Sequence, residues 1–123
     1  MDFDNTQPIW LQLHDEFARN IAVGIWPPGS RIPGVRDLAS QMGVNPNTVQ
    51  RSLAELERTG LCRSERTSGR FVTDDPRLIE KAQLTLATDA ARDFIVKAKG
   101  LHMSSEQATH LITTQWKDTI THE

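Results

Sequence analysis

The sequence has no tyrosine, only one cysteine and no lysine before position 77. It also lacks any apolar run near the roughly 18 residues that a membrane-spanning helix needs, and its first residues, MDFDNTQP, are acidic and polar. We therefore expect neither membrane insertion nor a secretory signal. Because one cysteine cannot form an internal disulfide, Cys62 is expected to be a small buried hydrophobe in a cytoplasmic protein.

The length of 123 residues allows one compact domain, or a small domain with an appendage, and excludes a large catalytic domain beside a second one. The sequence shows no Ser-His-Asp set, no Gly-rich phosphate loop and no paired acids at a pocket. His102, His110 and His122 do not share the i, i+4 spacing of metal ligands. We therefore predict no enzyme, no cofactor and no metal site.

The net charge of -2 conceals an asymmetry along the chain. Residues 31–70 carry seven arginines against four acids, whereas residues 1–30 carry one base against four acids. Basic residues that are all arginine suit bidentate hydrogen bonding to phosphates or base edges better than non-specific electrostatic attraction to DNA. The low net charge argues against a purely electrostatic DNA binder and leaves a compact, sequence-specific one open. An ordinary solvated surface that carries charges of both signs would have the same numbers of arginines and acids.

Apolar spacing and helix-end signals divide the chain into elements. Asn45 is a typical N-cap before Pro46, and Ser104 with Gln107 forms a capping box. Glycine follows the predicted helices, including Gly100 as the residue that ends the fourth. We predict helices at about 8–23, between Gly34 and Gly43, and at 45–59, 77–99 and 104–121, with a hairpin of residues 61–65 and 70–73.

Two short helices joined by a turn at Gly43 have the spacing of a helix-turn-helix, and a basic hairpin follows them. The pattern predicts a mainly α fold with a small β-hairpin: a winged helix-turn-helix DNA-binding domain at 1–75 and a two-helix dimerisation region at 76–123. Two helices cannot enclose a core alone, so a second copy is their simplest partner. The expected dimer contacts are Leu86, Phe94, Leu111 and Trp116.

Residues 7–72 resemble the winged helix-turn-helix domain of the GntR superfamily of bacterial transcription regulators. The resemblance rests on Pro8, Ile9 and Trp10, the turn Pro28-Gly29, the run from Ile32 to Ala39, the string from Gly43 to Val49, and the closing Leu56, Gly60, Leu61, Gly69, Phe71 and Val72. The short C-terminal part is similar to the YtrA-like branch, whose members dimerise through it. Thr67 stands where the family's wing usually has glycine, so we expect a different tip shape.

The resemblance implies that Arg36 reaches DNA, often at a guanine. Helix 45–59 is the expected recognition helix, where Gln50 suits adenine and Arg51 suits guanine or phosphate. The basic hairpin suits the DNA backbone or the minor groove. The predicted DNA-binding residues are Arg36, Asn45, Asn47, Thr48, Gln50, Arg51, Arg66, Ser68, Gly69 and Arg70.

The sequence thus predicts a cytoplasmic, homodimeric transcription regulator, by resemblance a repressor, on a two-fold symmetric operator of double-stranded DNA. Two alternatives remain open: a sensor that binds a small-molecule effector in a dimer-cleft pocket, and a module that uses helix 45–59 for protein contact. Trp10, Phe17 and Trp26 are interpreted as core aromatics rather than as a stacking platform, since Trp10 and Phe17 share the apolar stripe of the first helix.

Overall fold

The computed structural model describes residues 1–120, so His122 and the predicted helix end at 121 lie outside the described residues. The elements are α1 (Ile9–Ala22), α2 (Val35–Met42), α3 (Pro46–Arg58), β1 (Cys62–Glu65), β2 (Gly69–Val72), α4 (Pro76–Gly100) and α5 (Ser105–Ile120). This is the predicted mainly helical winged helix-turn-helix followed by two helices. Among the described residues, no helix is both long and apolar enough to cross a bilayer.

The turn between α2 and α3 is determined by local chemistry. Gly43 ends α2 with φ 68, a left-handed conformation that glycine adopts without steric cost. The Asn45 side chain then accepts a hydrogen bond of 2.8 Å from the backbone N–H of Asn47, and Pro46 fills the first helical position. The helix-turn-helix angle therefore follows from four consecutive residues.

Helix α4 ends at Gly100, within one residue of the predicted end, but the left-handed residue lies beyond the glycine. Gly100 remains helical, and His102 takes the left-handed conformation with φ 60. The N–H groups of Leu101 and Met103 donate to the carbonyls of Lys97 and Ala98, at 3.1 and 3.0 Å. The chain leaves the helix two residues after the glycine, so a histidine occupies the position that glycine usually takes.

The N-terminus of α5 agrees with the prediction. The Ser104 hydroxyl accepts a hydrogen bond from the Gln107 N–H at 3.1 Å, and the Gln107 side-chain carbonyl accepts one from the Ser104 N–H at 2.8 Å. Two backbone donors at the start of the helix are thereby satisfied reciprocally.

The first compact unit, residues 1–86, encloses one apolar core between the three N-terminal helices and the hairpin. Phe17 is fully buried and its ring stacks on Trp26 with centroids 5.2 Å apart, and Cys62 is buried, as expected from the sequence. The other buried residues of this core are Leu13, Ala18, Ile21, Ile32, Leu38, Ala39, Val49, Leu53, Leu56, Leu61, Val72 and Ala82.

The beginning of α4 is part of this first unit. Leu78 and Ile79 pack against the core that includes Ala82, and the Gln83 side-chain amide donates to the Ala22 carbonyl at 2.8 Å. The compact unit therefore continues to Leu86, eleven residues beyond the boundary at 75. The predicted separation of DNA-binding and dimerisation roles at that boundary stays a prediction.

The second unit, from Ala87 onward, consists of the rest of α4 and of α5. Ala98 is buried and Phe94 is half-buried within it. Several large apolar side chains are exposed in this unit: Ile95, Val96, Leu101, Leu111, Ile112 and Trp116.

Candidate nucleic-acid interface

Helix α3, the expected recognition helix, buries one face and presents the other to solvent. Val49, Leu53 and Leu56 lie in the core, as their spacing predicts. Asn47 and Gln50 are exposed on the opposite face. Within residues 1–120 no hydrogen bond engages the Gln50 side chain, so its amide is available to pair with the donor and acceptor of an adenine edge.

The structure places Arg36 in the first turn of α2, exposed to solvent. In the described part of the chain it forms no ion pair, either with the adjacent Asp37 or with another acid. Its planar guanidinium therefore keeps all of its donors for two neighbouring acceptors, such as the O6 and N7 atoms of guanine.

Arg51 lies over the ring of Trp10, with its guanidinium carbon 4.2 Å from the ring centroid. This corrects the interpretation of Trp10 as a core aromatic, because its ring is half-buried beneath a charged side chain of α3. The apolar spacing of α1 places Trp10 on the buried side but cannot show that an arginine from another helix covers it.

Ser52 is a fully buried residue that the sequence analysis missed. Its hydroxyl lies 2.6 Å from the Trp10 carbonyl and 3.0 Å from the Thr48 carbonyl, and thus joins α3 to the first turn of α1. The available signal is its position one residue before Leu53, on the buried side of α3 three residues after Val49.

The wing is an antiparallel hairpin in which Cys62 pairs with Val72 and Glu65 pairs with Gly69. The tip closes with a hydrogen bond of 3.3 Å from the Ser68 N–H to the Glu65 carbonyl. Thr67 does not adopt a positive φ, since His102 is the one non-glycine residue that does so among the described residues. The tip therefore accommodates this β-branched residue without backbone strain.

Glu57 of α3 receives two side chains from the hairpin. The Arg70 Nε lies 2.6 Å from a Glu57 carboxylate oxygen, and the Ser64 hydroxyl donates to the same oxygen. The Ser64 hydrogen bond and, to a lesser extent, Arg70 lower the pKa of Glu57 below its usual value. Arg70 is thus directed toward α3, and a contact between it and DNA stays a prediction.

The other two wing arginines differ in their surroundings. Arg63 lies 3.6 Å from Glu65 and 3.6 Å from Asp74, measured between nitrogen and oxygen. Arg66, at the tip, is exposed and has no hydrogen bond or ion pair within residues 1–120. It is therefore the wing arginine whose charge is most available to a phosphate.

Arg31 is a second residue that the sequence analysis missed. Its Nε donates to the Ser68 carbonyl at 2.9 Å, and its backbone bridges to Phe71 of β2. Gly69 lies so close that an added Cβ would stand 3.0 Å from the Arg31 Nε. The only sequence signal is its place directly before the buried Ile32, which does not indicate contact with a hairpin 37 residues away.

A shallow cleft of about 350 Å³ lies between the start of α2 and the wing, with Arg31, Gly34 and Arg66 in its lining. The wing is held at this side by Arg31 and on its other side by Glu57. Contacts with the segment before α2 and with the end of α3 therefore set the position of the hairpin.

Comparison with known proteins gives consistent results. Residues 11–72 match the family model of bacterial regulatory proteins, gntR family. The uncharacterised HTH-type transcriptional regulator YhcF of Bacillus subtilis is 30% identical over 91% of this chain and 93% of that protein. The HTH-type transcriptional repressor YtrA of the same organism is 28% identical over 80% of this chain and 76% of that protein.

Solved structures with the same fold include a GntR family transcriptional regulator from Listeria monocytogenes. It is 31% identical, covers 91% of this chain and 98% of its own, and has a TM-score of 0.83. The DNA-binding domain of AraR, solved in complex with operator ORR3, is 27% identical over 59% of this chain and 88% of its own, with a TM-score of 0.54.

Proposed function

This chain belongs to the gntR family of bacterial regulatory proteins and is a DNA-binding transcription regulator, and from that premise we propose that it is a cytoplasmic, homodimeric repressor of a two-fold symmetric operator. The observation that carries the proposal is the exposed polar face of α3, together with the exposed Arg36 of α2, which has no ion pair within residues 1–120. The AraR domain, which has this fold, is solved with operator DNA. The name of YtrA supports the repressor role.

In this proposal α3 enters the major groove, where Gln50 contacts a base edge and Arg51 contacts a guanine or a phosphate. Arg36 contacts a guanine from the start of α2. Asn45, Asn47 and Thr48 lie near the α3 N-terminus, where the helix dipole favours a phosphate and their polar side chains can contact one. On the wing, Arg66, Ser68 and Gly69 contact the DNA backbone or the minor groove.

The proposed dimer contact uses the exposed apolar side chains of the second unit. Trp116 and Ile112 are 68% and 47% exposed, and Leu111 is 38% exposed. Exposed apolar area costs about 25 cal/mol per Å² relative to burial, so a surface of this kind favours a partner. A second copy would bring two winged helices together, as a palindromic operator requires.

Selection of bound fragments from a random DNA pool, with the full chain, tests the proposal. We expect enrichment of an inverted repeat whose half-sites are about one duplex turn apart or slightly more. No enrichment would favour the protein-contact module instead. If enrichment changes when a metabolite mixture is added, the ligand-responsive sensor is the better description.

Arg36→Ala tests the proposed base contact by gel shift on the selected fragment. We expect a loss of about 1–3 kcal/mol in binding free energy and a relaxed preference at one base position. Arg77→Ala is the matched control, because that arginine is 89% exposed at the start of α4 and pairs with Asp75. Equal affinity of Arg36→Ala and the unaltered protein would contradict the assignment.

A reporter assay separates repression from activation. The selected fragment is placed over the promoter of a reporter gene, and the chain is expressed with and without Arg36→Ala. We expect lower reporter transcription with the unaltered chain and recovery with the variant. Higher transcription with the unaltered chain would identify an activator.

A further inference from the structure

Trp10 is outside the recognition helix yet lies against one of its proposed DNA-contacting side chains. The guanidinium carbon of Arg51 is 4.2 Å from the centroid of the Trp10 ring. At this distance the positive charge is attracted to the electron-rich face of the indole. Arg51 remains exposed, so its guanidinium group lies against the ring and is also accessible to solvent.

Trp10 is itself held against α3 by its backbone. Its carbonyl lies 2.6 Å from the hydroxyl of Ser52, which is fully buried and directly follows Arg51 in the sequence. Two consecutive residues of the recognition helix therefore contact the same tryptophan, one at the carbonyl and one at the ring. The contact with Ser52 thus anchors the backbone of Trp10 to α3, next to the position of Arg51.

A stacked guanidinium keeps its hydrogen-bond donors, because all of its N–H groups point outward in its own plane. No hydrogen bond to Arg51 is present among the described residues. Stacking on the ring also restricts the rotamers of a long side chain before any ligand arrives. The two effects together give an arginine whose plane is fixed while its donor edge remains free.

We propose that Trp10 is a positioning residue that holds the donor edge of Arg51 toward a pair of neighbouring acceptors on DNA, so that α1 contributes to operator affinity through the recognition helix. The acceptors are either the O6 and N7 atoms of a guanine or two oxygens of a phosphate. This inference rests on the proposed function and adds a residue that itself does not contact DNA.

A double-mutant cycle tests the coupling. The affinity of the full chain for the selected operator fragment and for a scrambled fragment is measured for Trp10→Leu, Arg51→Met and the double variant. We expect Trp10→Leu to weaken operator binding about three- to fivefold, the size of an exposed cation–π contact, and to have no further effect when Arg51→Met is present. Trp10→Phe, which keeps an aromatic face, should restore most of the affinity.

The matched controls are Ile9→Ala beside the tryptophan and Arg58→Met on α3, both at exposed positions, and we expect both to bind the operator like the unaltered chain. Equal losses for Trp10→Leu with and without Arg51 would overturn the inference and leave the proposed function intact. So would a loss for Trp10→Phe as large as that for Trp10→Leu. If the unaltered chain does not prefer any fragment over the scrambled one, the proposed function and the inference both fail.

The salt dependence of binding identifies the acceptor. Loss of a phosphate contact lowers the slope of log affinity against log salt by about one, whereas loss of a base contact leaves the slope unchanged and relaxes the preference at one position. Only Arg51→Met removes a cation, so the slope is read from that variant, and Trp10→Leu should change it little. A slope lowered by about one in Trp10→Leu would show that other phosphate contacts are lost and would contradict the inference.

A measurement without DNA detects the contact itself. In the free protein, the ring current of Trp10 should move the Nε–H proton resonance of Arg51 upfield, and Trp10→Leu should return it to the position of an ordinary arginine. Thermal unfolding of each variant establishes that the fold persists. An unshifted Arg51 resonance in the unaltered, folded chain would overturn the inference whatever the DNA result.

Discussion

The two compact units of the chain differ in how much of their large apolar side chains is buried. In residues 1–86, Leu13, Phe17 and Leu56 are completely shielded from solvent. From Ala87 onward, Val96, Leu101 and Trp116 are 71%, 74% and 68% exposed. The first unit has three helices, the start of α4 and a hairpin around one core, whereas the second has only the rest of α4 and α5. The exposed apolar side chains of the second unit are the ones to which we assign the proposed dimer contact.

The largest effect is expected in the core of the first unit. Leu13→Ala removes a fully buried side chain and should lower the free energy of unfolding by about 2–5 kcal/mol, through lost transfer energy and the cavity that remains. Urea unfolding followed by circular dichroism measures it. Leu84→Ala, at a leucine that is 67% exposed in the same unit, should change stability by about 0.5 kcal/mol or less. Similar losses for the two would remove the contrast between buried and exposed positions.

The second largest effect is expected on self-association. Trp116→Ala should weaken the dimer about thirtyfold, as loss of an aromatic interface residue typically does, with little change in the circular dichroism of the chain. Sedimentation equilibrium measures the dissociation constant. Thr114→Ala, on a different side of α5, should retain the affinity of the unaltered dimer. A dimer unaffected by Trp116→Ala would assign the interface to the first unit.

An intermediate effect is expected at the wing. Glu57→Gln removes the charge that Arg70 contacts and should lower the unfolding free energy by about 1 kcal/mol at neutral pH. Because the pKa of Glu57 is lowered in the folded chain, its stabilisation is complete above the usual value of 4.5 and disappears as the pH falls through the lower folded value.

The difference in stability between Glu57→Gln and the unaltered chain should therefore narrow below about pH 4.5. Urea unfolding at a series of pH values measures it. Glu65→Gln is the control, because that exposed carboxylate lies 3.6 Å from Arg63 and should contribute less. A difference that is constant from pH 3 to 7 would show that the ion pair does not stabilise the wing.

The smallest effect is expected at the end of α4. His102→Gly should raise the free energy of unfolding by about 0.5–1 kcal/mol, because glycine adopts the observed φ of 60 without steric cost. The thermal unfolding midpoint, measured at fixed protein concentration, reports the change. Leu101→Gly, at the neighbouring position without a positive φ, should lower the midpoint instead. A lower midpoint for His102→Gly would indicate that the imidazole itself stabilises the turn.

Much of the fold could be predicted because its determinants are local. Gly43, Asn45 and the capping box at Ser104 act within four residues, and each helix and strand boundary lies within one residue of the expected one where the structure describes it. The left-handed residue after α4, His102, was not identified from the sequence. Gly100 and His102 are only two residues apart, and which of them adopts the left-handed conformation depends on where the backbone leaves the helix.

The contacts that shape the candidate interface are long-range, and the sequence does not indicate them. Trp10 and Ser52 are 42 positions apart, and Arg31 and Ser68 are 37 apart. The sequence identifies arginines as a class but not their individual partners. It therefore predicts Arg70 as a DNA contact, while the structure shows that Glu57 already engages it.

Three of the seven arginines of residues 31–70 pair with carboxylates within the described residues, namely Arg58, Arg63 and Arg70. Fewer cations are thus available to displace the counterions of an arbitrary duplex than the sequence alone indicates. We expect the protein to leave random DNA quickly and to search a genome by many brief encounters rather than by long sliding along one stretch. The arginine–carboxylate pairs within the protein would in this way shorten its residence time on DNA outside the operator.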